Sequence, residues 1–139
     1  WTWSNMKEHL ADVTWEQAVT VIPSFNRIAT LVYHVHYYVD RVLRVLDGNP
    51  LEAHDSDSFT HPSINNQQDW ENLLNKVWAD AETMARKIEE MPEEKLWQNI
   101  AAEKYGNYYR NLHGIIEHTH YHLGQIVFLK KMIALQAGK

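Results

Sequence analysis

Residues 25–46 read FNRIATLVYHVHYYVDRVLRVL, and the fold class turns on how this stretch is phased. Its β-branched valines would suit a strand. Yet Ile28, Leu31, Val32, Val35, Val39, Val42, Leu43 and Leu46 recur at steps of three and four, not two. The stretch is therefore expected to be a helix with one apolar face. Asp47-Gly48-Asn49-Pro50 ends it, because Gly supplies a left-handed cap and Pro cannot continue the hydrogen-bond ladder.

Before this helix, Trp1 to Leu10 reads as the end of a first helix. Thr14-Trp15-Glu16-Gln17 follows as a capping-box start for a short helical piece, and Pro23 ends that piece or forms part of the turn after it. After it, Leu51 to Gln67 is polar, has no period and reads as a long loop. Loops of that length are uncommon in compact domains unless they cover a site. A third helix is expected over Gln68 to Glu90, with Trp70, Leu73, Leu74, Val77, Trp78, Ala81, Met84, Ala85 and Ile88 on its stripe and Pro92 beyond it. Glu93 to Gly106 reads as a connector that packs Leu96, Trp97 and Ile100 onto the bundle. The last helix should span Asn107 to Leu135, with Tyr108, Leu112, Ile115, Ile116, Thr119, Leu123, Ile126, Val127 and Ile133 on its stripe. The expectation is an all-α, four-helix bundle formed by residues 1–139 as a single domain.

Composition narrows the function. With 45% hydrophobic residues in 139, the chain can bury one real core and is not disordered as a whole. Its net charge is −5 and no basic stripe exists, which argues against nucleic acid as a partner. No apolar run approaches the ~20 residues of a membrane span. No signal peptide is visible, so the expected compartment is the cytoplasm; the chain starts at Trp1 without Met, and its true start is expected upstream. The absence of cysteine excludes a disulfide, a Cys-based zinc site and a protein thiol nucleophile.

The one excess is histidine, nine in all, with His113, His118, His120 and His122 within ten residues. Positions i and i+4 lie about 40° apart around a helix, so His118 and His122 share a face and could hold one ion. His120 points to the opposite side, near His113. His122 falls about 40° from the centre of the last helix's apolar stripe and His118 about 80°, which puts the pair at the core's edge. His34 and His36 lie on opposite sides of helix two's stripe at similar angles, so periodicity does not choose a third ligand between them. His9, His54 and His61 have no partner at ligand spacing; His61 alone sits where a loop could fold over a site mouth. Packing or interface roles are expected for His113 and His120.

The segment His118-Thr-His-Tyr-His122-Leu-Gly-Gln125-Ile126 resembles the C-terminal helix signature of the DinB/YfiT-like metalloenzyme superfamily. Ile28-x-x-Leu31-x-x-His34 resembles that superfamily's second-helix motif, and the likeness extends to the polar stretch after that helix and to Trp70. It implies His34 as the third ligand, and leaves His36 as a surface or subunit-contact residue. It also implies an up-down-down-up bundle with a long crossover between helices two and three, and a homodimer. Exposed Trp1, Trp3 and Trp15 would fit such a dimer contact. The site is expected near one end of the bundle.

Three neutral imidazoles leave open positions on an ion, the arrangement of catalytic rather than structural sites. The expected cofactor is a divalent transition metal, zinc or nickel foremost, with iron, cobalt or copper compatible. A water in the open position would have its pKa drawn towards ~7. The resemblance implies instead, for part of the superfamily, S-transfer from a bacillithiol-type thiol to a small electrophile. Metal-dependent hydrolysis and a non-catalytic metal- or ligand-binding bundle are the alternatives. Gln125 could orient His122, and Tyr33, Tyr37, Tyr38 and Tyr121 could line a pocket, though packing explains each as well. Glu117 and Asp40 read as solvated charges.

Overall fold

The computed structural model describes residues 4–138, which are helical with no β-strand among them. Trp1 and Trp3 lie outside the described residues. The helices are α1 (Met6–Leu10), α2 (Trp15–Val19), α3 (Ile28–Leu46), α4 (Gln67–Glu89), α5 (Glu93–Leu96) and α6 (Tyr108–Ala137), with 3-10 turns at Asp55–Phe59 and Glu103–Tyr105. Among the described residues no helix is long and apolar enough to cross a membrane.

Local chemistry accounts for the starts and stops. Asn5 caps α1 by accepting from the Glu8 amide at 2.9 Å, so α1 begins at Met6 and is not the tail of a longer helix. The Thr14–Gln17 capping box forms as expected. Helix α3 starts at Ile28 rather than Phe25, because the chain through Ser24 (φ 69°) is still turning. Gly48 takes φ 87° after α3, the left-handed conformation that a side chain would disfavour. Asn66 and Asn107 cap α4 and α6.

Two apolar clusters give the directions of the long helices. The first joins Ile28, Leu31, Val32 and Val35 of α3 with Trp70 and Val77 of α4 and Leu123, Ile126, Leu129 and Ile133 of α6. The second joins Val42, Leu43 and Val45 with Met84, Ile100, Tyr108 and Leu112. Helix α4 therefore runs alongside α3 in the same direction, and α6 runs against it. Parallel neighbours cannot be joined by a short turn, which is why residues 47–66 form a long crossing segment. Trp70 anchors the start of α4; its fully buried indole donates to the Val13 carbonyl at 2.9 Å. Trp15 is half-buried against the first cluster and does not form the exposed patch expected of it. Ala81, Ala85, Ile88 and Ile116, assigned to apolar stripes, are exposed instead, while Leu129 is buried.

Candidate metal centre

Between the two apolar clusters, in the first half of α3 and the middle of α6, three imidazoles meet. The site thus lies part-way along the helices and not near one end: His34 follows Val32 in the first cluster, and His118 and His122 separate Leu112 from Leu123. His34 is 5% exposed, His122 8%, and His118 is half-buried. The Nε2 of His118 is 3.0 Å from Nε2 of His34 and 2.9 Å from Nε2 of His122. One ligand atom from each lies within 4.8 Å of the others, a grouping that could hold a metal ion.

The hydrogen bonds on the far side of the rings decide what those nitrogens carry. Ser58 Oγ donates its hydrogen to the Asp55 carbonyl at 2.6 Å, so only its lone pairs face His34 Nδ1, 2.7 Å away. His34 must then donate from Nδ1 and leave Nε2 bare. His122 Nδ1 faces the Gln125 carbonyl oxygen at 2.8 Å, which likewise places its proton on Nδ1 and a lone pair on Nε2. Two bare nitrogens thus point at His118 Nε2, which has at most one hydrogen to share between them. Ligand nitrogens ~2.0–2.1 Å from a tetrahedral ion are roughly 3.3 Å apart, so a small outward shift would fit the ion. The donor set is all nitrogen, and it suits a borderline transition metal.

Electrostatics agree. Burial and the neighbouring His122 and His34 rings lower the His118 pKa to about 4. Burial and then His122 lower that of His34, against a smaller opposing effect of Asp55. Neutral imidazole, the form that binds metal, is favoured at both. Tyr38 packs edge-on to His34 and His118 and donates to Asp55; burial and that acceptor push its phenol up to about 12.

The polar segment after α3 does cover the site, though not through His61. Its 3-10 turn Asp55–Phe59 brings buried Ser58 to His34 and stacks Phe59 on the same ring, centroids 4.2 Å apart. No periodic signal singles out Ser58, Phe59 or Asp55; only the length of the loop pointed to this region. His61 instead bonds Thr30 and the Pro62 carbonyl.

The remaining candidates separate cleanly. His36 is neither a ligand nor a surface residue: it is 7% exposed and its Nε2 lies 2.6 Å from Asp80 on α4. Burial alone would raise the Asp80 carboxyl, but hydrogen bonds from Lys76 and His36 outweigh it and hold it below its usual value. Tyr37 is buried away from the centre, with its hydroxyl accepting from the His54 amide, and Tyr33 lies beside His61. Tyr121 is exposed with its ring edge-on to His122. His120 turns back to its own helix at the Ile116 carbonyl, His113 faces Glu117 and Tyr109, and His9 meets Ser4. Asp40 pairs with Arg44 and Arg41.

On one side His118 lines a cleft of about 480 Å³ with Tyr38, Lys104, Tyr105 and Arg110, so an ion held here would be reachable from solvent. Comparison with family models, with curated proteins and with solved structures returns no match to this chain, and what its centre can do is read from the geometry of His34, His118 and His122 alone.

Proposed function

We propose that this chain is a metal-dependent thiol S-transferase on a DinB-like four-helix bundle, with His34, His118 and His122 as ligands of a divalent zinc- or nickel-type ion. The observation that carries it is the convergence of three Nε2 atoms, two of them left with a free lone pair because Ser58 and Gln125 hold the ring proton on Nδ1. A divalent ion bound there supplies a Lewis acid that lowers the pKa of a thiol, or of water, entering from the cleft. The chain's own part is to keep the imidazoles neutral and aimed, to shield one side with Phe59, and to leave the His118 side accessible. Thiol transfer is favoured over hydrolysis by the motif resemblance of 118–126 and of 28–34; the absence of cysteine is compatible with a thiol from outside and does not demand one. The sulfur gains a bond to the electrophilic carbon, its proton leaves to solvent, and the electrophile's leaving group or opened ring takes the electron pair.

We further propose a homodimer. Support comes from Tyr121, Phe128 and Leu135, which are 66%, 54% and 71% exposed and recur every seven residues along one line of α6.

The test compares His122→Ala with His120→Ala. Native protein and His120→Ala should each bind one ion per chain and consume an electrophile such as an epoxide only when a low-molecular-weight thiol is added. His122→Ala should lose both properties and keep its helicity, because the buried apolar clusters do not need the ion to form. Equal metal loss in both variants refutes the site. Turnover without thiol selects hydrolysis, and metal binding without any turnover selects a binding role.

A further inference from the structure

The cleft that ends on His118 has a charge that its surroundings do not predict. The chain carries 18 acidic and 13 basic residues, yet this cleft is lined by Lys104 and Arg110 and, among the described residues, by no carboxylate, Asp55 lying behind the Tyr38 hydroxyl that donates to it. Elsewhere Arg41, Arg44, Lys76, Lys87 and Lys130 each have an acidic partner in contact, while among the described residues Lys7, Arg27 and Lys131 stand singly on the surface. Among the described residues neither Lys104 nor Arg110 has one. Two uncompensated cations over a cleft of this size are a recognition element for an anion.

Arg110 also packs against a glycine. Gly106, at φ 75°, presents bare backbone to its side chain; a Cβ there would lie 3.0 Å from Arg110 Cδ. Lys104 lies over the Tyr105 ring, 4.8 Å from its centroid. Along α6, Arg110, Gly114 and His118 follow at four-residue steps and share one face. Gly114 leaves that face open, with nothing within 4 Å of the position its Cβ would occupy. The eight residues from Arg110 to His118 rise about 12 Å, and the arginine side chain folds back towards Gly106, so the span up to His118 is left to the bound molecule. An extended molecule can therefore rest on Gly114 with its anionic end at Arg110 and its other end at His118.

We infer that the cleft binds a small organic substrate through an oxyanion, a carboxylate or phosphate gripped by Arg110 and Lys104, with its reacting end at the three-histidine centre. The placement of the reacting end rests on the function proposed above; the anion grip does not. The planar guanidinium matches either oxyanion through paired hydrogen bonds, and Lys104 adds a point charge. Affinity for the anion then orients the molecule before any chemistry occurs.

The test is calorimetric titration of metal-free and zinc-loaded protein with butyrate, inorganic phosphate and the neutral analogue butyramide. In both forms at least one anion should bind ten-fold or more tighter than butyramide, and the tighter of the two identifies the oxyanion. In Arg110→Gln/Lys104→Gln the anion should fall to the level of butyramide, while helicity and zinc stoichiometry stay native. Gly114→Leu, which fills the floor, should weaken anion and amide alike. Equal binding of anion and amide by native metal-free protein overturns the inference, as does an anion preference that survives the double substitution. Failure of the metal centre reads differently: native protein would take up no zinc, and the metal-free titration would still decide whether the cleft selects anions.

Discussion

Ser58 and Gln125 do at single-residue scale what a three-histidine site needs, since each accepts a hydrogen bond from Nδ1–H of one ring and leaves its Nε2 lone pair free. Ser58→Ala removes the acceptor, so His34 can adopt the other tautomer or rotate. Metal affinity should fall about 10–100-fold with helicity unchanged. Competition against a chromophoric chelator measures this, and unchanged affinity would show that Phe59 stacking alone sets the ring. The same burial makes the metal-free fold sensitive to pH. His118 titrates near 4 in the folded chain against an ordinary 6.5, so the unfolded chain takes up the proton first. Stability is therefore greatest above about 6.5, declines as pH falls towards 4, and is lower by on the order of 1–3 kcal/mol below that. His34, shifted in the same direction, adds to the effect. Thermal melts of chelator-treated protein between pH 7.5 and 4.5 should show the decline, and His118→Gln should flatten it. A melting temperature independent of pH across that range would contradict the cause assigned here.

At the scale of elements, α3 works as a two-sided beam. One side gives His34 to α6, and the other gives His36 to Asp80 of α4. Lys76 joins Asp80 from one turn away, and Lys87 meets Asp47 at 2.6 Å where α3 ends. Asp80→Ala leaves a buried imidazole without its partner, and should cost about 1–3 kcal/mol in urea unfolding. Metal affinity should be unaffected, because His36 and His34 face different helices. A matching loss of metal would mean that the α3–α4 contact sets the position of the centre. The 3-10 turn Asp55–Phe59 completes this arrangement, since the crossing segment that parallel α3 and α4 require passes over His34.

For the whole molecule, the surface outside the cleft is most unusual along α6, where Tyr121, Phe128 and Leu135 line up in water. Phe25 adds to them, its ring 6.4 Å from that of Phe128. Burying such a stripe against a second copy removes apolar area from water in both chains at once. Phe128→Asp should shift sedimentation from dimer to monomer at micromolar concentration with metal content intact. A native protein that already sediments as a monomer would refute the dimer.

The helical class and three long helices follow from periodicity, because a 3.6-residue repeat is a property of consecutive positions and needs no partner. So does the pairing of His118 with His122, one turn apart on a single helix. The choice between His34 and His36 is of another kind. Both lie at the margin of one apolar stripe and both are buried, and only the packing of α6 on one side and α4 on the other gives them different neighbours. Ser58 and Phe59 were beyond any reading by period, since a 3-10 turn in a crossing loop acquires its meaning from the ring it meets. The anionic preference of the cleft belongs there too, because Lys104 and Arg110 are unremarkable in sequence. Tertiary structure gathers them into the cleft that His118 lines, where no described residue contributes a carboxylate to the lining.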